Sequence, residues 1–142
     1  MHVDPAVFAA QPSYAAAIVV ADGVPNGPSD AAGDALLREV SALMENRLRR
    51  GDMVARVGGD EFAAVLHDCN LGTAVAVAQS ICEQVENYEL AWGDARHRVG
   101  VSIGVVQSDE SFKSGAQMMA TADAACYEAK KAGRGQVRAA PR

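Results

Sequence analysis

The sequence predicts a single α+β domain in which helices pack on a largely antiparallel β-sheet. Three observations lead to this prediction: apolar runs of strand length, amphipathic helical segments between them, and two apolar runs joined by a tight glycine-containing turn. Their order is strand, helix, strand, strand, helix, strand and then one more helix, which is that of the split βαβ, ferredoxin-like arrangement. Since the chain has 142 residues, we expect an N-terminal arm over residues 1–14 and one domain over residues 15–140.

The first strand and the first helix are predicted before residue 50. Residues 15–21 are all apolar, which is typical of a strand buried on both faces. Residues 22–29 contain two prolines and two glycines and therefore predict a loop. The helix that follows is predicted from apolar residues at helical spacing, namely Leu36, Leu37, Val40, Leu43, Met44 and Leu48.

A β-hairpin and four further elements are predicted from residue 53 onward. Residues 53–57 and 62–66 are strand-like runs on either side of Gly-Gly-Asp-Glu, and glycine supplies the positive φ angles of a tight turn. In a later strand, apolar residues alternate with Gly100, Ser102 and Gly104, which makes one face nearly bare. The later elements are a helix over residues 73–87, this strand over 99–105, a helix over 115–132 and a short edge strand over 136–139.

Composition narrows the classes of function. Thirteen basic against 18 acidic residues give a net charge of −5, which argues against a nucleic-acid polymer as partner, so an anionic ligand needs a local site. The three cysteines form no C-x-x-C pair, which argues against a disulfide framework or structural zinc and favours a reducing, cytoplasmic compartment. The apolar run at residues 15–21 is far shorter than the roughly 20 residues of a membrane span, so we expect no membrane segment.

Two carboxylates on the predicted hairpin turn indicate a candidate site for a metal ion and a phosphate. Asp60 supplies a hard oxygen ligand of the kind that Mg²⁺ uses beside nucleotide phosphates. The turn at Gly58 and Gly59 exposes backbone N–H groups to phosphate oxygens and lets a ligand approach closely. The same pattern also occurs as a plain turn whose acids, here Asp60 and Glu61, are only solvated.

Residues 58–62 spell Gly-Gly-Asp-Glu-Phe, and four further segments accompany this motif. They are Gly-Asp-Ala-Leu-Leu at 33–37, the run 52–57, Val-Ser-Ile-Gly-Val at 101–105 and the segment 122–135. With these segments the sequence resembles the GGDEF domain of diguanylate cyclases. The resemblance implies a palm-like sheet packed with helices. It also implies a homodimer that joins two GTP molecules into cyclic di-GMP with Mg²⁺ as cofactor, each domain holding one GTP.

The resemblance implies roles for residues at and beside the hairpin. Asp60 matches the catalytic carboxylate that also binds metal, and Glu61 follows it as the second acid of the catalytic motif. Gly58 and Gly59 match the positions that receive the phosphates. Asp22, at the end of the first predicted strand, is the second expected metal ligand.

Three residues outside the hairpin match family positions that bind GTP. Asp34 matches the aspartate that reads the guanine edge, and the alternative is a helix N-cap. Lys130 and Arg134 match residues that contact the triphosphate, and the alternative is a solvated basic helix end.

Arg49 and Asp52 form an R-x-x-D pattern just before the hairpin, which matches the family's inhibitory cyclic di-GMP site. Arginine binds a phosphate or a guanine edge with two parallel hydrogen bonds, and a carboxylate accepts the N–H groups of guanine. The alternative is an i,i+3 ion pair at the end of a helix.

The sequence departs from the family pattern most extensively after the first strand. Active members carry D-x-D-x-F-K-x-x-N-D-x-x-G-H after the first strand, whereas here 12 positions separate Asp22 from Asp34 and no lysine precedes Arg50. Either Asp22 matches the second aspartate of this pattern and Val20 replaces the first, or Asp22 is the first and the deletion is larger.

We therefore expect a cyclic di-GMP signalling domain that binds cyclic di-GMP or GTP and has impaired catalysis, so whether it is an enzyme stays open. One alternative is an active diguanylate cyclase that works as a homodimer. The other is a scaffold domain that binds neither nucleotide. The resemblance also implies a longer parent chain with a sensor or an EAL-type hydrolase domain.

Overall fold

The structure is a computed structural model that describes residues 14–22, 31–109 and 114–140. Its strands are β1 (Tyr14–Asp22), β2 (Met53–Arg56), β3 (Glu61–His67), β4 (Glu89–Trp92), β5 (Ala95–Arg98), β6 (Gly100–Gln107) and β7 (Val137–Ala139). Its helices are α1 (Ala31–Glu45), α2 (Leu71–Glu86) and α3 (Gly115–Lys131). The predicted arm and the predicted loop at 22–29 lie outside the described residues, apart from Tyr14 and Asp22, which both belong to β1.

The central strand of the main sheet is β1, and the strand order is β2-β3-β1-β6-β7. It runs antiparallel to both neighbours, so that Val19 lies opposite Phe62 of β3 and Ile103 of β6. The last two strands, β6 and β7, are parallel. This order confirms the predicted ferredoxin-like arrangement. The central position of β1 explains why residues 15–21 are all apolar and buried.

Helices cover both faces of the main sheet. Successive side chains of a strand point to opposite faces, so Val19 packs with α1 and α2, whereas Ile18 packs with α3. The first layer includes Val19, Leu36, Val40, Met44, Phe62, Ala78, Ile81, Val85 and Ile103. The second includes Ala16, Ile18, Val20, Val106, Ala122, Ala125 and Cys126.

One face of β6 carries only glycine and serine at positions 100, 102 and 104. Helix α3 packs closely on that face. A Cβ added at Gly104 would lie 2.0 Å from the carbonyl oxygen of Ala122 and 2.2 Å from the backbone nitrogen of Cys126. The Cys126 thiol donates to the carbonyl oxygen of Ser102 at 3.2 Å. Glycine at position 104 therefore sets the distance between α3 and the sheet.

The caps of α2 and α3 are residues that were not predicted from the sequence, and the one cap alternative that was named is wrong. Asp34 lies in the first turn of α1, so the N-cap alternative for this residue is wrong. Asn70 caps α2 by accepting from the N–H of Thr73, and Ser114 caps α3 by accepting from that of Gln117. Among the helices in the described ranges, none has the length and apolar character needed to cross a membrane.

A second, two-stranded sheet formed by β4 and β5 was not predicted. Glu89 on β4 accepts hydrogen bonds from Arg96 at 2.8 Å and from Arg98 at 3.2 Å, both on β5. Gly93 in the connecting turn has a φ of +61°. Each strand has only four residues, and β5 is mostly basic, so the pair lacks the longer apolar runs from which the other strands were predicted.

Candidate functional site

The GGDEF turn joins β2 to β3, and the side chain of Arg56, the last residue of β2, holds it in place. The N–H groups of Val57 and Gly58 donate to the carbonyl oxygen of Glu61 at 2.9 and 3.3 Å. Arg56 Nε donates to the carbonyl oxygens of Gly58 and Gly59 at 3.2 and 3.0 Å, and its Nη2 donates to that of Gly59 at 2.6 Å. Neither Gly58 nor Gly59 has a positive φ, so the positive φ angles predicted for this turn are wrong. No atom lies within 4 Å of a Cβ built at Gly59. Hydrogen bonds within the turn and from Arg56 therefore hold its backbone in place, and the side of the turn at Gly59 is open to a ligand.

The turn is also tied to the end of the central strand. The N–H of Ala21 donates to the carbonyl oxygen of Asp60 at 2.8 Å, and Val20 lies opposite Glu61. The backbone of Asp60 is therefore adjacent to the end of β1, where Asp22 is located.

Glu61 belongs to a cluster of charged groups on the α3 side of the sheet. It lies opposite Val20, which packs with α3, and directly opposite residues share a face. Partial burial, followed by the charge and hydrogen bond of Asp123 and the charge of Asp60, raises the pKa of the Glu61 carboxyl, while Lys130 opposes this rise. The charges of Asp60 and Lys130 both act on Glu61, so these three predicted site residues lie near one another. Asp123 was not predicted, although it lies seven residues before Lys130, on the same face of α3.

Asp22 is engaged by two side chains that are distant in sequence. The Ser102 hydroxyl donates to its Oδ2 at 2.7 Å, and Arg134 Nη1 donates to its Oδ1 at 3.2 Å. Only 10% of the Asp22 side chain is exposed, whereas 62% of the Arg134 side chain is. Arg134, predicted to contact a triphosphate, is therefore placed beside β1 by its ion pair with Asp22.

A divalent cation bridging Asp22 and Asp60 would compete with the present partners of Asp22. GGDEF diguanylate cyclases are nucleotidyltransferases that generally use divalent metal. Here both oxygens of Asp22 already accept hydrogen bonds, and Val20, two residues earlier, is buried against α3. Within the described ranges, no three His, Cys, Asp or Glu side chains are grouped so as to hold a metal ion.

Asp34 approaches the hairpin from the other side of the sheet. Its Oδ1 lies 3.8 Å from Nη2 of Arg56, the residue that holds the GGDEF turn. Because α1 and α3 cover opposite faces, Asp34 and Lys130 reach the hairpin from opposite sides. The predicted GTP-binding residues therefore surround the hairpin end of the sheet.

Arg49 and Asp52 form a separate, tightly hydrogen-bonded unit before β2. The Asp52 carboxylate accepts from the backbone N–H groups of Arg49 and His67, each at 2.8 Å, and only 2% of its side chain is exposed. Arg49 Nη2 donates to the carbonyl oxygens of His67 and Asp68. The predicted i,i+3 ion pair is also present, with Arg49 Nε 3.7 Å from Asp52 Oδ2.

An open groove of about 440 Å³ lies beside this unit. It is found at the start of β2, whereas the GGDEF turn follows the end of that strand, about 10 Å away at 3.3 Å per residue. The two predicted binding regions are therefore distinct. The groove is lined by Glu45, Leu48, Arg49, Arg50, Asp52, Met53 and Val54.

Comparison with known proteins identifies the family. The family model "Diguanylate cyclase, GGDEF domain" matches residues 30–136. The chain is 47% identical over 107 residues to the probable diguanylate cyclase DgcE of Escherichia coli, covering 75% of this chain and 10% of that protein. It is 36% identical over 107 residues to diguanylate cyclase A of Treponema denticola, covering 75% of this chain and 29% of that protein. The chain thus spans less than a third of these relatives.

Solved structures agree with this assignment. The GGDEF domain of YfiN (TpbB) from Pseudomonas aeruginosa superposes with a TM-score of 0.85 at 27% identity, covering 96% of this chain and 88% of that one. The GGDEF domain of DgcB from Caulobacter crescentus, solved in complex with c-di-GMP, has a TM-score of 0.83 at 25% identity, covering 90% and 78%. The palm-like sheet, the intact hairpin and these matches together show that the chain belongs to the GGDEF domain family of diguanylate cyclases.

Proposed function

We propose that this domain is a regulatory module that binds cyclic di-GMP in the groove beside Arg49 and has impaired cyclase activity. The observation that carries the proposal is the groove itself, which presents two arginines beside an apolar wall. A relative of this fold, the GGDEF domain of DgcB, has been solved with c-di-GMP bound.

The chemistry of the groove suits an anionic dinucleotide. Arg49 and Arg50 are exposed cations that attract its two phosphates, and arginine binds phosphate with a fork of N–H donors. Leu48, Met53 and Val54 supply apolar surface for the guanine bases.

Asp52 in this proposal holds Arg49 in place instead of contacting the ligand. Its oxygens already accept two backbone N–H groups, and its side chain is almost fully buried. Glu45 is the exposed carboxylate of the groove, and it takes the role of accepting N–H groups from guanine.

The hairpin end keeps the groups that bind GTP but lacks groups that the cyclase reaction needs. Asp60, Glu61 and Lys130 lie together there. If Asp22 matches the second aspartate of the family pattern, the buried Val20 replaces the first, and if Asp22 matches the first, the second is missing. Losing a buried charged partner costs about 2–5 kcal/mol, and about 1.4 kcal/mol is tenfold in rate. The missing lysine and the missing aspartate together predict a rate at least about a thousandfold below that of an active cyclase.

The longer relatives suggest how such a module is used. The chain covers 10% of DgcE and 29% of diguanylate cyclase A. We place the domain in a longer signalling protein, where ligand binding is coupled to a sensor or an EAL-type domain, and where GTP-bound domains pair as homodimers.

Calorimetric titration with cyclic di-GMP tests the proposed binding site. The wild-type protein should bind, and Arg49→Ala should weaken binding at least about tenfold, as expected when one charge-assisted contact is lost. Arg47→Ala is the matched control, because Arg47 is also exposed but does not line the groove. Equal binding by wild type and Arg49→Ala would place the ligand elsewhere, and no binding by wild type would favour the scaffold alternative.

Incubation with GTP and either Mg²⁺ or Mn²⁺, followed by chromatography, tests the impairment. We expect product formation at less than about a thousandth of the rate of an active cyclase measured in parallel. Substantial turnover that Asp60→Ala abolishes would overturn this part of the proposal and establish the active homodimeric cyclase instead.

A further inference from the structure

We propose that Asp22 is a positioning residue that aims the guanidinium of Arg134 at the phosphates of GTP, and that it is not a metal ligand. This inference rests on the proposed function only in assuming that the hairpin end receives GTP. It concerns three residues that come together from separate parts of the chain: Asp22 at the end of β1, Ser102 on β6, and Arg134 after α3.

The first support is that each oxygen of Asp22 already accepts a hydrogen bond from a neighbouring side chain. One oxygen accepts from the Ser102 hydroxyl at 2.7 Å and the other from Arg134 Nη1 at 3.2 Å. Ser102 is fully buried, so its hydroxyl proton is committed to Asp22. A magnesium ligand instead needs an oxygen directed toward the ion and its bound waters, and only 10% of the Asp22 side chain is exposed.

The second support is the backbone of Arg134 itself. Its φ is +63°, a left-handed conformation that non-glycine residues adopt only when surrounding contacts determine it. The preceding Gly133 has a φ of +127°, and the Arg134 N–H donates to the carbonyl oxygen of Ala129 at 3.1 Å. The chain thus reverses after α3 and directs the Arg134 side chain back to β1.

The third support is that the ion pair with Asp22 leaves most N–H donors of Arg134 available to a ligand. A guanidinium has five N–H donors, and the contact with Asp22 uses one nitrogen. The side chain is 62% exposed, and Lys130, four residues earlier, lies near Glu61 of the hairpin. Asp22 therefore fixes one end of the guanidinium, and the remaining donors are available to an oxyanion beside Lys130.

Chemical labelling tests the positioning without any ligand. Phenylglyoxal modifies free guanidinium groups, and mass spectrometry reports the rate at Arg134. We expect Asp22→Asn to increase that rate at least about threefold, because the charged acceptor is lost. Ser102→Ala should cause a smaller increase, since it removes only the group that orients Asp22. Asp94→Asn, an exposed carboxylate in the β4–β5 turn, is the control and should change nothing. Equal rates at Arg134 in wild type and Asp22→Asn would overturn the proposal.

Nucleotide binding separates positioning from metal ligation. We expect Asp22→Asn and Arg134→Ala each to weaken GTP binding about fivefold to twentyfold, and the double variant to bind no more weakly than Arg134→Ala alone, since the two residues act as one unit. The ratio of GTP affinities with and without Mg²⁺ should be the same in wild type and Asp22→Asn.

Two binding outcomes would also count against the inference, and one outcome would count against the proposed function. Loss of the Mg²⁺ effect in Asp22→Asn alone would make Asp22 a metal ligand, and additive losses in the double variant would separate it from Arg134. If wild type binds no GTP while labelling still rises in Asp22→Asn, Asp22 does position Arg134. In that case the GTP-binding part of the proposed function fails.

Discussion

Arg56 donates two hydrogen bonds to the carbonyl oxygen of Gly59, from Nε at 3.0 Å and from Nη2 at 2.6 Å. The same guanidinium lies 3.8 Å from Asp34 of α1. A residue that precedes the GGDEF motif therefore holds the motif's turn and links it to the first helix. Arg56 was not among the site residues predicted from the sequence, because its partners are carbonyl oxygens whose direction depends on the turn conformation.

Arg56→Ala should lower the free energy of unfolding by about 1–2 kcal/mol, since hydrogen bonds to a charged group contribute about that much at a partly exposed site. Arg56→Lys should recover little of this loss, because an ammonium group cannot reproduce the planar fork. Urea denaturation measures both. Arg138→Ala, an exposed arginine of β7, is the matched control and should stay within about 0.5 kcal/mol of wild type. A wild-type stability for Arg56→Ala would show that the turn holds without this side chain.

Gly104→Ala should be among the most destabilising single substitutions in the domain. The added Cβ would overlap the backbone of α3, 2.0 Å from the Ala122 carbonyl oxygen, and overpacking of this kind costs about 1–3 kcal/mol or more. Gly100→Ala is a matched control on the same face of β6, because no atom lies within 4 Å of its added Cβ. Thermal denaturation of the two variants should therefore differ by several degrees. Equal melting temperatures would mean that α3 can move away from the sheet at little cost.

Glu61→Gln should stabilise the protein at neutral pH and lose this advantage in acid. The raised pKa of Glu61, due first to burial and then to Asp123, means that the folded state favours the protonated carboxyl. The stability that this carboxyl contributes is therefore fully present below its ordinary pKa. It is lost as the pH rises through the pKa of the group in the folded state. Melting temperatures of wild type and Glu61→Gln should differ at pH 7 and converge near pH 4. A constant difference across this range would contradict the assigned cause.

All three cysteines should resist thiol reagents in the native protein. Burial raises the pKa of Cys126 to about 11 and that of Cys82 to about 12, and it also raises that of Cys69. Because the thiolate is the reactive form, a disulfide reagent such as DTNB at pH 8 should react slowly with the native protein and with three thiols after unfolding in guanidinium. Rapid reaction of a native thiol would show that one of these sites opens locally.

The fold could be predicted from the sequence more fully than the site. Continuous apolar runs and helical spacing are local patterns, and they indicated β1, the hairpin strands, the helices and the short β7 with ends close to those observed. The four-residue strands β4 and β5 are too short to show such a pattern, and side-chain hydrogen bonds of Glu89 with Arg96 and Arg98 link them. The grouping of Asp60, Glu61 and Lys130 followed from a family resemblance, whereas Asp123 was missed because its partner Glu61 lies on another element.

The sequence by itself indicated the family and the order of the helices and main-sheet strands, because motif spelling and burial periodicity are properties of neighbouring residues. Only the tertiary structure decided which groups the aspartate side chains contact. Asp22 meets Ser102 and Arg134 across 80 and 112 residues of chain, and Asp52 meets the His67 N–H across 15. Which groups satisfy a carboxylate depends on strand register and on how helices pack on the sheet. These are long-range relations, and no local pattern of residues contains them.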